Sequence, residues 1–371
     1  MRFASSLLPA LLFTIAGVHA QQAPTAAIVS PEVAADRSVT FRIAAPDASQ
    51  VSLASAGDIP QVPFGGGLPM TKNGEGVWEL TLTLDPGAYR YNFNVDGLRV
   101  LDPNSPRISE SNANAHSWLH VDGAAWMDAN QVPHGAVAEL SYDSSVLGRT
   151  RRMHVYTPPG FGTSDTRYPV FYLLHGAMDS DDSWSTVGRA GFILDNLIAN
   201  GAAAPMIVVM PHGHTGPYAM GGDLPLADFA AEFNQDIKPY IEANYPVLSD
   251  RAHTAIAGLS MGGAQTLDIA FGDLASYGYI GVYSSGVFGV TESDEWEQAH
   301  LAALDDTALK NGLKLVWFST GTDDFLLETT RATVGMIEKH GFDVDYTESG
   351  GGHTWINWRE YLYTFAPQLF R

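Results

Sequence analysis

Cysteine is missing altogether from the 371 residues, which excludes a disulfide framework, a thiol nucleophile and a Cys-ligated zinc. Charge is scarce too. Asp, Glu, Lys and Arg make up 16% of the chain, against roughly 25% in an ordinary soluble domain, so much of the surface is expected to be neutral and polar. Bases are the scarcer sign: 20 Lys plus Arg stand against 41 Asp plus Glu, a formal charge of −21. Nucleic acid and anionic membranes require a basic footprint and are excluded as partners. Strongly anionic small substrates are disfavoured, whereas neutral ones such as sugars and their esters fit. No uninterrupted apolar run reaches the roughly 18 residues of a membrane span. What the chain does have is 45% hydrophobic residues, enough for a sizeable core and against disorder. Its length allows about two domains, and a core of that size needs no disulfide staples for export.

The first twenty residues read as an address. Arg2 supplies a positive start, Leu7 to Ile15 is mostly apolar, and Val18-His19-Ala20 offers small residues for a cut ahead of Gln21. Residues 1–20 are therefore expected to be a cleaved signal peptide, with an uncleaved anchor as the alternative. No cysteine follows to carry a lipoprotein anchor. Without Arg2 the count is 19 basic to 41 acidic residues, a net charge of −22. The mature chain is expected to be acidic and secreted or periplasmic.

Residues 25–122 alternate with period two in four runs: Val39–Ile43, Val51–Leu53, Val77–Leu84 and Tyr89–Val95. Asp85-Pro86-Gly87 and Asp96-Gly97 mark turns between and after them. This predicts a small antiparallel β-sandwich, with nothing spaced like a catalytic site. Residues 123–133 read as a linker. From residue 134 to 371 the pattern changes to near-continuous apolar runs, Tyr168–Leu174, Met206–Met210, Thr254–Ala257 and Leu313–Phe318, with helical patterns at Phe192–Ile198, Leu226–Tyr245 and Thr329–His340. Such alternation predicts an α/β domain on a mostly parallel sheet, with its site at the carboxyl ends of the strands.

The informative segment is Gly258-Leu259-Ser260-Met261-Gly262-Gly263, a G-x-S-x-G between an apolar strand and a helical stretch. The strand-to-helix turn is too sharp for side chains flanking the serine, and it lifts the serine hydroxyl above the sheet near a helix N-terminus. A strand-to-helix glycine turn whose serine merely caps the helix is the plainer alternative. Chain order favours the first. The run Leu313–Phe318 leads into Thr322-Asp323-Asp324-Phe325, and Gly350-Gly351-Gly352-His353 follows a short strand expected at Phe342–Tyr346. The order Ser, Asp, His is that of α/β-hydrolases. Ser260 is the expected nucleophile and His353 the base that takes its proton. Asp324 is the expected acid that orients the imidazole, with Asp323 its competitor. The oxyanion requires backbone N–H donors, expected at Met261 and, from Leu174-His175-Gly176-Ala177, at Ala177.

Other residues were weighed against plainer roles. His212-Gly213-His214 lacks a spaced third ligand and is no metal site, but it follows a strand and sits near the expected mouth, so His212 is a candidate for substrate binding. Trp184, Trp355 and Trp358 are candidates for an aromatic pocket and could equally be core; core is the plainer reading for Trp358, in a helical pattern, and for Trp78. Glu232 and Asp236 read as the solvated face of an amphipathic helix.

With these residues assembled, the segment from His134 to Phe370 resembles carbohydrate esterase family one, the feruloyl and acetyl xylan esterases related to esterase D. The likeness rests on Arg151-Arg152-Met153-His154-Val155-Tyr156-Thr157-Pro158-Pro159-Gly160, Tyr172-Leu173-Leu174-His175-Gly176 with Trp184 downstream, the Ser260 motif, Gly321-Thr322-Asp323-Asp324-Phe325 and Gly351-Gly352-His353. In that family the aspartate directly before the Phe-like position is catalytic, which implies Asp324. The N-terminal part, with Trp78-Glu79-Leu80, Tyr91-Asn92-Phe93 and Leu101-Asp102-Pro103-Asn104, resembles an early-set sandwich of carbohydrate-binding module family forty-eight. A packing or site-shaping role is expected for it alongside glycan binding. The resemblance implies a secreted, cofactor-free serine esterase that releases ferulic or another hydroxycinnamic acid from arabinoxylan, with acetyl xylan as the alternative substrate. Its partners would be feruloylated or acetylated hemicellulose oligosaccharides. A siderophore esterase, an acyltransferase of the same fold and a non-catalytic glycan-binding protein are the competing readings. The charge speaks against the first and the intact Ser-His-Asp set against the last.

Overall fold

The structure, a computed structural model, describes residues 27–219, 221–222 and 224–371; the expected signal peptide and its cut after Ala20 lie outside the described residues. Uninterrupted apolar runs in the second half fold as strands because a sheet covered on both faces buries every side chain. Five such runs, flanked by the more polar strands β1 and β2 at one edge and β8 at the other, make up the eight strands of the main path: β1 (Ala136–Ser144), β2 (Arg149–Thr157), β3 (Tyr168–Leu174), β4 (Ile207–Pro211), β5 (Thr254–Leu259), β6 (Tyr279–Tyr283), β7 (Leu315–Gly321) and β8 (Asp345–Ser349). Their spatial order is β1-β2-β4-β3-β5-β6-β7-β8, with Val247–Leu248 pairing beside β3. The pairs β1–β2 and β2–β4 are antiparallel and the rest are parallel. Alternation along β3 sends Val170, Tyr172 and Leu174 to one face and Phe171 and Leu173 to the other, each face into its own apolar cluster. The fold is α/β, with an antiparallel domain at its N-terminus.

Some element bounds depart from the pattern for identifiable reasons. The helix expected over Leu226–Tyr245 is three pieces: Leu226–Glu232, a π-helical turn at Phe233–Ile237, and Lys238–Asn244. Pro239 has no N–H to give the preceding turn, and the ladder widens just before it. The last strand begins at Asp345 rather than Phe342, because Phe342 turns into the core beside Phe271. Glu232 does not lie on a solvated face: it is fully buried, pairs with Arg151 at 2.9 Å and accepts from the Tyr142 hydroxyl at 2.9 Å. Asp236, also read as solvated, accepts from Ser144, Ser145 and the Val146 N–H at the β1 turn.

The N-terminal part consists of two antiparallel sheets. One runs Glu32–Val33, Ser38–Ala44, Val77–Thr83, Thr71–Lys72; the other runs Leu68–Pro69, Val51–Ser55, Gly87–Val95, Ala115–Val121, Ile108–Glu110. Trp78 lies in their shared core and donates to the Ala45 carbonyl. Gly87–Val95 is the strand that matters for the site, since it is buried on both faces for most of its length. Tyr89, Tyr91 and Phe93 enter the sandwich core, each worth about 1.5–3 kcal/mol of apolar burial. Ala88 joins the apolar cluster of the α/β domain on the other face, and Arg359 of the C-terminal helix donates to the Ala88 and Val187 carbonyls. Residues 123–133 are packed rather than free: Arg189 donates to the Met127 carbonyl, and Asn196 donates to those of Ala125, Trp126 and Asp128.

Candidate active site

β5 ends at Leu259, and the helix Met261–Gly272 starts two residues later. Ser260 bridges them at φ 51°, a left-handed value that an L-residue adopts only where its surroundings impose it. Here the imposition is close approach. A Cβ on Gly258 would lie 2.2 Å from the Gly262 carbonyl oxygen, and one on Gly262 would lie 2.6 Å from that of His175. Only bare backbone fits the two sides of the turn.

His353 reaches Ser260 from the loop after β8, with Nε2 at 3.0 Å from Oγ. Its Nδ1 lies 3.0 Å from both carboxylate oxygens of Asp324. Asp324 is buried and also accepts from the Leu326 N–H at 2.9 Å; Asp323 is exposed. The two loops are tied through their backbones, Thr322 N–H to the Ser349 carbonyl and Asp323 N–H to that of Gly351. Asn357 of the following helix donates to the Gly350 carbonyl.

On the far side of Ser260 lies the loop after β3. A Cβ on Gly176 would come within 3.3 Å of that of Ser260, so this loop passes directly against the nucleophile position. Its carbonyls are held by buried histidines. The Gly213 N–H donates to His175 Nε2, which leaves the proton on Nδ1 to donate to the Gly176 carbonyl at 2.8 Å. His214 Nε2 donates to the Ala177 carbonyl at 2.8 Å. Burial pushes His175 and His214 down to about 4, which keeps both rings neutral in this arrangement. Met261, as first residue of its helix, has an N–H with no intrahelical acceptor. Ala177 and Met261 both line the cavity above Ser260.

That cavity has a volume of about 670 Å³. Trp355, Trp358, Phe288, Phe325, Tyr218 and Met178 line it together with Ser260 and His353. Trp358 stands edge-on to the His353 ring with centroids 5.0 Å apart, and Phe325, 75% exposed, covers that ring from outside at 4.3 Å. One wall comes from the sandwich: Ala56, Gly57, Asp58, Phe64 and Arg90. Arg90 is the one Arg or Lys among the described lining residues. It is ion-paired on both sides, to Asp58 and Asp179, each at 2.8 Å.

Of the expected substrate-binding residues, Trp355 lines the cavity; Trp184 and His212 do not. Trp184 is buried behind Trp355, edge to face at 4.9 Å, and spends its indole N–H on the Leu174 carbonyl. His212 turns toward His175 and, at 3.7 Å, Asp181, beneath the loop rather than above it. Trp358, expected in the core from its helical spacing, is there and also lines the cavity. The sandwich residues carried no catalytic spacing, and only the polar Arg90 in a strand of aromatic alternation pointed toward them. Among the described residues His120, Asp122 and Asp128 bring possible metal-ligating atoms together, but none of them lines the cavity. No helix of the described residues is long and apolar enough to cross a membrane.

The sheet order, the left-handed serine at the β5 end and the Ser-His-Asp contacts define an α/β-hydrolase fold with a nucleophile, base and acid in place. The chain belongs to the Esterase family, whose model matches residues 144–369, and the resemblance to carbohydrate esterase family one stands alongside that match. It is 29% identical over 355 residues to an endo-1,4-beta-xylanase/feruloyl esterase of Xylanibacter ruminicola, an alignment covering 92% of this chain and 46% of that protein. The chain thus spans less than half the length of that relative. A solved ferulic acid esterase shares its fold at TM-score 0.55 and 27% identity, covering 63% of this chain and 97% of the other. The enterobactin esterase of Shigella flexneri aligns over 90% of this chain and 93% of its own at TM-score 0.62 and 19% identity, a likeness of fold that includes the N-terminal sheets.

Proposed function

We propose that the chain hydrolyses hydroxycinnamoyl esters of plant cell-wall hemicellulose, releasing ferulic or a related acid. Ser260 Oγ attacks the ester carbonyl while His353 Nε2 takes its proton, and Asp324 holds the imidazole in the tautomer that accepts it. The N–H groups of Ala177 and Met261 receive the negative charge that develops on the carbonyl oxygen. His353 then gives the proton to the departing sugar hydroxyl. Water, activated by the same imidazole, splits the acyl-serine to the free acid and restores Ser260. No bound group is called on at any step.

The observation that carries the choice of acyl group is the aromatic lining beside Ser260. Phe288, Phe325, Trp355 and Trp358 offer faces and edges to a planar phenolic ring, and a volume of about 670 Å³ is far more than an acetyl group would fill. An anionic siderophore finds no uncommitted cation in this lining, because Arg90 is already paired with two carboxylates. The relative named endo-1,4-beta-xylanase/feruloyl esterase supports the same direction.

The test is the Ser260→Ala variant assayed on methyl ferulate, phenyl acetate and acetylated xylan beside the wild type. Wild type should favour methyl ferulate over the acetyl esters, and the variant should lose at least about 10³-fold in kcat on it. Retained turnover by Ser260→Ala would overturn the mechanism; preference for acetylated xylan would overturn the acyl group.

A further inference from the structure

The loop after β3, residues 177–189, carries the Ala177 donor and is held by the sandwich at three separate points. Arg90 Nη1 donates to Asp179 Oδ1 at 2.8 Å, the Glu110 N–H to Asp182 Oδ2 at 2.8 Å, and the Ser109 and Thr186 hydroxyls lie 2.7 Å apart. The Arg90 contact lies nearest the chemistry. Asp179 is two residues from Ala177, and its N–H closes the turn onto the Gly176 carbonyl. The same carboxylate oxygen accepts from the Trp355 indole at 3.2 Å, and the Arg90 guanidinium lies 5.8 Å from the Trp355 ring centroid. Trp355 is two residues from His353. Arg90, buried on a sandwich strand and anchored from behind by Asp58, therefore holds the oxyanion loop directly and, through Asp179, the Trp355 start of the helix that follows His353.

We propose that Arg90 is a positioning residue for ester hydrolysis: through Asp179 it fixes the Ala177 oxyanion loop and the Trp355 end of the His353 loop, so that the sandwich is a working part of the active site. A bidentate guanidinium between two carboxylates sets orientation as well as distance, and an oxyanion donor acts only when it is aimed at the position the oxygen will occupy. The inference rests on the proposed Ser260 mechanism.

It separates from a merely structural role by where the loss falls. Because every ester uses the oxyanion loop, Arg90→Met should lower kcat on methyl ferulate and on phenyl acetate alike, by about 10- to 100-fold, with KM changed by less than about threefold. Arg90→Lys keeps the charge but loses the fork, so it should recover part of that loss and covers the case in which Arg90→Met does not fold. Asp179→Asn should lower kcat as well, and combining it with Arg90→Met should cost no more than the worse single change. A folded Arg90→Met enzyme within about twofold of wild type in kcat on both esters would overturn the proposal, as would additive losses in the double variant. Ser260→Ala, run in parallel, keeps the two failures apart: full turnover there sinks the mechanism, whereas an inactive Ser260→Ala beside unaffected Arg90 variants sinks only the role of Arg90.

Discussion

Asp323 and Asp324 are chemically identical neighbours, and the fold separates them by burial. Asp324 has both oxygens within 3.0 Å of His353 Nδ1 and a backbone N–H on one of them, whereas Asp323 is exposed and engaged through its backbone. An amide in place of the buried carboxylate can present its NH₂ to Nδ1 and hold the imidazole in the wrong tautomer. Asp324→Asn is therefore expected to lower kcat on methyl ferulate by about 10³- to 10⁴-fold, and Asp323→Asn to stay within about twofold of wild type; similar losses in the two would reverse the assignment. The residues alone left Asp323 as a competitor, and it was the family resemblance, with its aspartate before the Phe-like position, that implied Asp324. The sequence left Trp184 open between pocket and core and placed His212 at the pocket mouth, because an aromatic or imidazole beside a motif does not reveal which way it points. The indole N–H of Trp184 has its acceptor at the Leu174 carbonyl, inside the core, and His212 faces Asp181 below the loop.

At the scale of elements, the turn at Ser260 and the end of β3 are one packed unit. The space between Gly262 and the His175 carbonyl has no room for a methyl group: a Cβ would sit 2.6 Å away. Gly262→Ala must push the oxyanion strand off the nucleophile helix, at a cost of about 1–3 kcal/mol in stability and a larger proportional loss in kcat, read from thermal melts and initial rates. Gly272, at the other end of the same helix, has open space at its Cβ position, so Gly272→Ala should leave the melt unchanged or raise it slightly. Equal effects at the two ends would show that helix propensity, not close approach, governs the turn. The strands buried on both faces were legible because apolar runs of that length have few other homes. β1, β2 and β6 were not marked from their pattern: the first two are polar, β1 largely exposed and β2 buried only in its second half, and β6 is short, at Tyr279–Tyr283. The helix Trp355–Phe365 showed a helical pattern at Trp358, but its aromatic residues serve a core on one side and a cavity on the other, which the pattern does not separate.

At the scale of the whole molecule, Arg90 and Asn92 occupy the polar positions of an alternating strand, and both are buried. The period-two rule finds alternation; it cannot tell water from a polar face of a second domain. The same polar burial gives the molecule a pH signature. Burial pushes His175 and His214 down to about 4, His212 to about 3 and, in the sandwich, His116 to about 4. In the unfolded chain each titrates near 6.5, so between about 4 and 6.5 the unfolded state binds more protons and stability rises with pH. Asp181, beside His154 and Arg152 and held well below the carboxylate range despite its burial, adds stability above pH 4 that is lost under acid. Three aspartates oppose this. Burial raises Asp182 to about 6 and also raises Asp179 and Asp268, and their contribution favours the acidic side and fades as pH rises. Burial lowers His120 as well, and five histidines against three aspartates leave the histidines in control: the melting temperature should climb by at least about 5 °C between pH 4.5 and pH 7 and level off above. A flat or falling curve across that window would mean that these rings are hydrated or charged in the folded state, and the neutral His175 and His214 clamp on the oxyanion loop would fall with them.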